Sequence, residues 1–490
     1  MSNLDSRHAG PVDKPSDNHK LPLTKRIYTN GTLRYTFWGL WVLFFWILWG
    51  DFAFSIFENI QRFIVLLLDE QHASSTLIAN LGSTACIANL LFGPGISQWS
   101  DNCRTPWGRR KPFLAIATPL TALTMLMMGI SPQVGSHIYS AFRSQIAPYI
   151  SESALILSLF CIFVALFHYF NMVLCNAFNW LFRDVVPHEV VARMQAAMRI
   201  VSLSSAMVFN HYLFPHIMTH RVTICVTVGI FYTVAFFMMC WRVKEGEYPP
   251  PEPKVKTTAW QLFENYIGYF RECLSVPIYR NLLMIYVITA CGGCAGVFAM
   301  LLWKNTLHID MQGIGDLTNW YLGSALIGSF FAGWLCDKYN PFRVMLGAQA
   351  MGFLIGIFSF FYVHDYHSLL VSTLAGGLLA VGGGLAMGAA NIFIFPREKF
   401  GQFSTAANVI PMGISIGANF VTGVIFDKIL HNNYQFIFVF SALGSGLAII
   451  PTIFVYRAWR SSGGNDYQAP EVPRLTPLKD IWRTFVKKSA

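Results

Sequence analysis

Charge is scarce in this sequence. Charged residues make up 12% of the 490 residues, against roughly 25% in an ordinary soluble domain. Acidic residues are the scarcest: 25 Asp and Glu stand against 35 Lys and Arg, for a net charge of +10. With a hydrophobic share of 54%, a soluble chain would need an implausibly large core, so lipid is the expected solvent. Cysteine is also sparse. The ten present fall mostly inside apolar runs and outline no disulfide framework. Cys291 and Cys294 form a lone CxxC without a second pair, which reads as small-residue helix packing rather than metal or redox chemistry. No phosphate-binding Walker sequence exists, which excludes ATP as the energy source. The glycine-rich stretch from Gly376 to Gly388 has no strand before it and no Lys-Ser/Thr after it. Residues 1–35 are polar, and the first apolar run is too long for a secretory signal core.

Apolar runs dominate. Segments long enough to span a bilayer fall near 38–60, 74–99, 113–131, 152–182, 198–217, 222–242, 281–303, 317–336, 343–363, 368–395, 405–426 and 435–457. A polar stretch holding Pro249, Pro250 and Pro251 divides them six and six. The expected organisation is a tail over 1–35, a six-helix bundle over 36–243, a linker over 244–277, a second bundle over 278–458 and a tail over 459–490. Trp260, Phe263, Ile267 and Phe270 have the spacing of a helix lying on the membrane surface. Leu478, Ile481, Trp482, Phe485 and Val486 repeat it in the tail.

The basic residues set the orientation. With the N-terminus inside, only Arg62, Arg143, Arg221, Lys304 and Lys428 fall on outer segments or outer helix ends, and Arg199 lies within a helix. Both termini are therefore expected in the cytoplasm, in a cell (inner or plasma) membrane. The positive charge follows topology rather than one patch, so nucleic acid is not an expected partner.

The loop from Ser100 to Pro112 is tight, basic and Gly-containing, with Asp101, Arg104, Gly108, Arg109 and Arg110 wedged between two apolar runs. A weaker echo runs from Gly333 to Arg343, with Asp337 and Arg343. Two copies in two halves indicate an internal repeat, and repeated membrane bundles usually work by alternating access. The loop is expected to latch a gate through Asp101 and Arg109, or else to serve topology alone.

Ionisable groups within a span are costly and are functional candidates by default. Asp51 and Glu58 share a face of the first helix with Ser55 and Arg62. Glu58 and Arg62 are four apart and can pair. Asp51 has no local partner, so it is either held by a neighbouring helix or serves solute or protons. Arg199 either snorkels to the cytoplasmic surface or donates to a solute or to Asp51. His168, Asn171, Asn176 and Asn179 lie broadly on one side of the fourth helix, as cavity lining or interhelical glue.

The run Ser100-Asp101 with Trp107-Gly108-Arg109-Arg110-Lys111-Pro112 resembles the signature loop of the glycoside–pentoside–hexuronide cation symporters and sucrose/proton symporters. Arg183-Asp184-Val185-Val186-Pro187 followed by Arg193 resembles their loop between helices four and five. The resemblance covers roughly 36–457 and implies the major facilitator fold, all-α with twelve transmembrane helices. It places Asp51 where these carriers bind sugar hydroxyls and Arg199 where an Arg contacts the same sugar. It places Asn171, Asn89 and Gly93 where carboxylates occur, the latter two at the sodium site, and Met412 nearest to a missing Lys. The loss of hard oxygen ligands points away from sodium.

The expected function is secondary active transport of a sugar or glycoside by proton symport. Asp51, Arg199, Asn171, Asn176 and His168 would bind solute, and Asp51 and Glu58 would carry protons. An uncoupled facilitator, or a carrier of an amphipathic solute such as a lysolipid or drug, is the alternative. The expected partners are the solute, protons and membrane lipids. The chain is expected to act as a monomer without cofactor, metal or catalytic constellation.

Overall fold

The computed structural model describes residues 26–248, 270–464 and 467–470, with Pro22 and Gly268. The predicted surface helices over 260–270 and 478–486 lie outside the described residues, apart from Gly268 and Phe270.

Among the described residues, twelve long helices follow a short hairpin, β1 (Tyr28–Asn30) and β2 (Leu33–Tyr35). They are α1 (Phe37–Glu70), α2 (Ser75–Asn102), α3 (Lys111–Ala141), α4 (Glu152–Val185), α5 (Val191–Val208), α6 (Arg221–Arg242), α7 (Pro277–Thr306), α8 (Met311–Lys338), α9 (Pro341–Tyr362), α10 (Tyr366–Ile394), α11 (Phe400–Ile429) and α12 (Tyr434–Ser461). Ten are long and apolar enough to cross a membrane. The other two, α5 and α8, carry Arg193, Arg199 and Asp316, Asn319 within their length, which lowers their mean hydropathy without breaking the helix.

The helix starts follow from the sequence. Thr36, Ser74, Ser151 and Asp310 accept an amide hydrogen from the first turns of α1, α2, α4 and α8, and Asp365 forms a capping box with Ser368 at α10. Prolines inside α2, α3, α11 and α12 do not end them, because neighbouring helices enclose the freed backbone groups. For that reason α3 runs through Pro132 to Ala141, ten residues past its expected end.

Within each half, α3 packs on α4, α8 on α10, and α12 on α7 and α9. Gly377 sits so close to Ser324 and to the Tyr321 carbonyl that no side chain fits there, which sets the α8–α10 approach. Across the halves, α2 packs on α11 and α5 meets α8.

The two faces of the bundle differ. The hairpin, the 103–110 loop and the chain after α6 lie on one, here called proximal; the α1–α2, α7–α8 and α11–α12 turns lie on the other, called distal. One hydrophobic core runs through the first half and continues across to Phe298, Leu301, Phe426 and Tyr434 at the distal side of the second. A separate core of Ile278, Tyr279, Phe342, Phe395, Phe403 and Trp459 holds the proximal side of the second half. The halves are thus joined distally and independently packed proximally.

Candidate functional site

Helix α1 is mostly apolar, and neighbouring helices meet the buried acids that it carries. Asp51 is only 5% exposed, and its carboxylate accepts from the Ser202 hydroxyl of α5 at 2.8 Å. Two turns on, Glu58 accepts from Asn171 Nδ2 of α4 at 2.7 Å, with the Cys175 thiol at 3.9 Å. Asn176 donates to Asn89 of α2 at 3.3 Å. His168 is buried with its edge toward Phe167, and among the described residues neither its Nδ1 nor the Asn171 Oδ1 has a hydrogen-bond partner. A buried polar atom without a partner in an apolar bundle is a group available to a ligand or water. The first half thus contains a polar seam along α1, α2, α4 and α5, built from Asp51, Glu58, Asn89, Asn171, Asn176 and Ser202.

Two expected contacts are not made. Glu58 and Arg62 do not pair, because α1 breaks at Ile60–Gln61 between them. The break sends Glu58 toward α4, while Arg62 donates to Asn210 Oδ1 at 3.3 Å. Arg199 is exposed and does not reach Asp51, whose partner on α5 is Ser202, three residues further along.

The proximal loop is a charge lock within the first half. Arg109 donates in a fork to Asp184, from Nε at 3.1 Å and Nη2 at 2.9 Å. Arg110 donates to the same carboxylate at 3.0 Å, to the Ser100 hydroxyl at 2.7 Å and to Asp101 at 2.5 Å. Arg104 closes the turn onto the Asp101 and Cys103 carbonyls. Glu245, beyond α6, accepts the amide hydrogens of Arg109, Arg110 and Lys111. Gly108 is needed there twice over. Its φ is +117°, and a Cβ would lie 2.5 Å from the Glu245 carboxyl carbon. The hairpin joins in, with the Asn30 amide reaching the Asp184 and Val186 carbonyls at 3.0 Å. All these partners lie in the first bundle or in the tail and linker residues that flank it, so in this conformation the loop holds its own bundle together. Its echo is weaker. Asp337 is exposed and makes no ion pair among the described residues, and Arg343 donates to the Tyr456 hydroxyl at 3.0 Å.

The distal face joins the halves. Asp427 of α11 accepts the amide hydrogens of Ser75 and Thr76 at 2.7 Å each, and the Thr76 hydroxyl as well. Ser75 also donates to Asn432. Lys304 and Asn305 of α7 both donate to Asp69, at 3.0 and 2.9 Å. Asn210 donates to Asn319 at 3.1 Å, and Asn419 to Ser83 at 2.8 Å. Three of the contributing segments, 209–213, 302–306 and 425–429, are π-helical turns at the distal ends of α5, α7 and α11. Such turns re-aim side chains and recur at functional positions. Among the described residues, every hydrogen bond and ion pair between the halves comes from the distal portions of the helices.

A cavity of about 920 Å³ lies in the second half, walled by α7, α8, α9, α10 and α12 and closed on one side by Arg62 and Val65 of α1. That volume is at the upper end for small-molecule sites.

The family model described as MFS/sugar transport protein matches residues 47–391. The Arabidopsis thaliana sucrose transport protein SUC3 is 26% identical over 85 residues, which is 17% of this chain and 14% of that protein's length. Among solved structures, a variant of the nucleoside transporter NupG superposes with a TM-score of 0.60 at 10% identity, covering 84% of this chain and all of that one. A bacterial homologue of the iron transporter ferroportin, inward-facing, gives 0.59 at 13%, covering 84% and 97%. A D-xylose–proton symporter gives 0.55 at 12%, covering 85% and 96%. At these identities the structures show the shared fold alone.

Proposed function

Because the chain belongs to the MFS/sugar transport protein family, we propose that it moves a sugar-type solute across the membrane by alternating access, coupled to protons. It is a transporter and not an enzyme. The observation that carries the mechanism is the asymmetry of the two faces. The distal side is sealed by Asp427, Asp69 and Asn319 contacts across the halves, while the proximal charge lock stays within one half. With the termini and the basic loop in the cytoplasm, this is an inward-open state. Transport then requires the distal contacts to break as the proximal ends approach.

Asp51 is the residue for coupling. It is buried beside α5 with a neutral hydroxyl as its partner, and among the described residues no cation pairs with it. Exchange of that hydroxyl for a solute hydroxyl, linked to proton binding, would couple the two fluxes. Glu58 and Asn171 would extend the same seam. Asp51→Asn in proteoliposomes should abolish proton-driven accumulation of the sugars that the wild-type chain concentrates from a mono- and disaccharide panel, with exchange surviving. Undiminished accumulation by this variant would remove Asp51 from the coupling step.

A further inference from the structure

The C-terminal cavity has a chemistry that the sugar reading does not use. Its wall is mostly apolar. Met345, Ile355, Leu379, Met387, Ile437 and Phe438 are typical, and four glycines, Gly296, Gly376, Gly383 and Gly384, face open space where a Cβ would go. Several of its hydroxyls are already spoken for. Thr289 and Thr318 donate to their own helix backbones, and Ser359 bonds to Ser372 across α9 and α10. The cavity is long as well. The lining positions on α10 run from Leu369 to Met387, a rise of about 27 Å at ~1.5 Å per residue.

One charge faces this space among the described residues, the guanidinium of Arg62. It enters at the distal end, where α1 restarts after its break. Its partner is the neutral Asn210 amide oxygen at 3.3 Å. Among the described residues no carboxylate lies within ion-pair distance. Glu58 is turned to Asn171, and Asp69 is taken by Lys304 and Asn305. A half-buried guanidinium in a membrane bundle without an anion is disfavoured. It is also the side chain best shaped to take a carboxylate or phosphate in a two-point bond.

We propose that an amphipathic anion occupies this cavity, its acid group on Arg62 and its apolar body lying along α9, α10 and α12. A half-buried cation at one end of a long, mostly apolar slot is complementary to a carboxylate or phosphate monoester on a single chain. A free small anion would leave the apolar wall uncovered.

The test is binding to the purified full chain in zwitterionic-lipid nanodiscs, with dodecanoate, dodecanol and acetate as probes. Wild type should bind dodecanoate about tenfold or more tighter than dodecanol, and acetate should not compete at equal concentration. Arg62→Gln should erase the preference for the acid while leaving dodecanol binding unchanged, and Arg62→Lys should keep part of it. Gly376→Leu fills the slot where no atom stands and should lose both long-chain probes. Asp51→Asn should alter none of this, which separates the anion site from the sugar–proton reading. Retention of the acid preference in Arg62→Gln, equal competition by acetate, or wild-type binding in Gly376→Leu would each overturn the proposal.

Discussion

Asp427 and Thr76 hold the two halves of the transporter together by two bonds at one point. The carboxylate takes both the amide and the hydroxyl of Thr76, in the first turn of α2. The first turn of a helix presents unpaired amides and a partial positive charge. Here the anion that satisfies them is supplied by the other half of the molecule.

Asp427→Asn should therefore weaken the distal seal more than its stability. Charge-assisted hydrogen bonds are worth about 1.5–3 kcal/mol each, so the open state should gain roughly tenfold or more in population. Spin labels at His72 and Lys428, both exposed beside the contact, would report it as a longer-distance population. An unchanged distance distribution would mean that the Asp69 and Asn319 contacts suffice.

The proximal lock should behave as a structural unit. Asp184 receives both Arg109 and Arg110, and its side chain and that of Arg110 are nearly enclosed. Asp184→Asn should destabilise the first half by about 3 kcal/mol, the scale for breaking a buried pair. Asp101 is half-exposed, and Asp101→Asn should cost under about 1 kcal/mol. Gly108→Ala should resemble the Asp184 variant, since it displaces Glu245 from three amides. Thermal unfolding of the three proteins checks the order, and equal losses at Asp101 and Asp184 would contradict it.

At the proximal end of the second half, Glu272 accepts from Lys399 Nζ at 2.9 Å and from Gln402 Nε2 at 3.1 Å. The Lys399 hydrogen bond is the largest factor holding the Glu272 carboxyl below its usual range. A lowered folded value means that the carboxylate stabilises the fold above the ordinary glutamate pKa of about 4.3. That stability is lost as pH falls through the folded value. Glu272→Gln should unfold earlier than wild type at neutral pH by less than about 1 kcal/mol, because the pair is partly exposed. The difference should vanish in acid. A difference that persists or grows at low pH would assign the effect to packing.

The coupling ion is open to direct measurement. The sequence resemblance implies carboxylates at the positions of Asn89, Gly93 and Asn171, and Asn89 is engaged with Asn176 rather than grouped with acids. Uptake should follow the proton gradient and ignore sodium at fixed pH. Sodium-stimulated uptake would show that other oxygens supply a cation site.

What the sequence determined was everything that a one-dimensional pattern encodes. Hydropathy marks the spans because each residue facing lipid must be apolar whatever its neighbours. The caps at Thr36, Ser74, Ser151, Asp310 and Asp365 act within one turn, so they too are local. The Ser100–Pro112 loop stood out because its glycine and its cations are contiguous. The isolated acids Asp51 and Glu58 were visible because any charge in such a span is.

The tertiary structure decided the partners. Asp51 meets Ser202, Glu58 meets Asn171, and Arg109 meets Asp184, and none of these pairs is local. The break at Ile60–Gln61 left no sequence signal, yet it redirects Arg62 from Glu58 toward the second half. Asp427 lies just past the expected span over 405–426 and drew no notice in the sequence, because its role exists only when α11 brings it to the start of α2. The charge on a side chain is a property of the residue, but its pairing depends on which helices pack together, and close glycine contacts such as Gly377 against Ser324 set that packing over long stretches of chain.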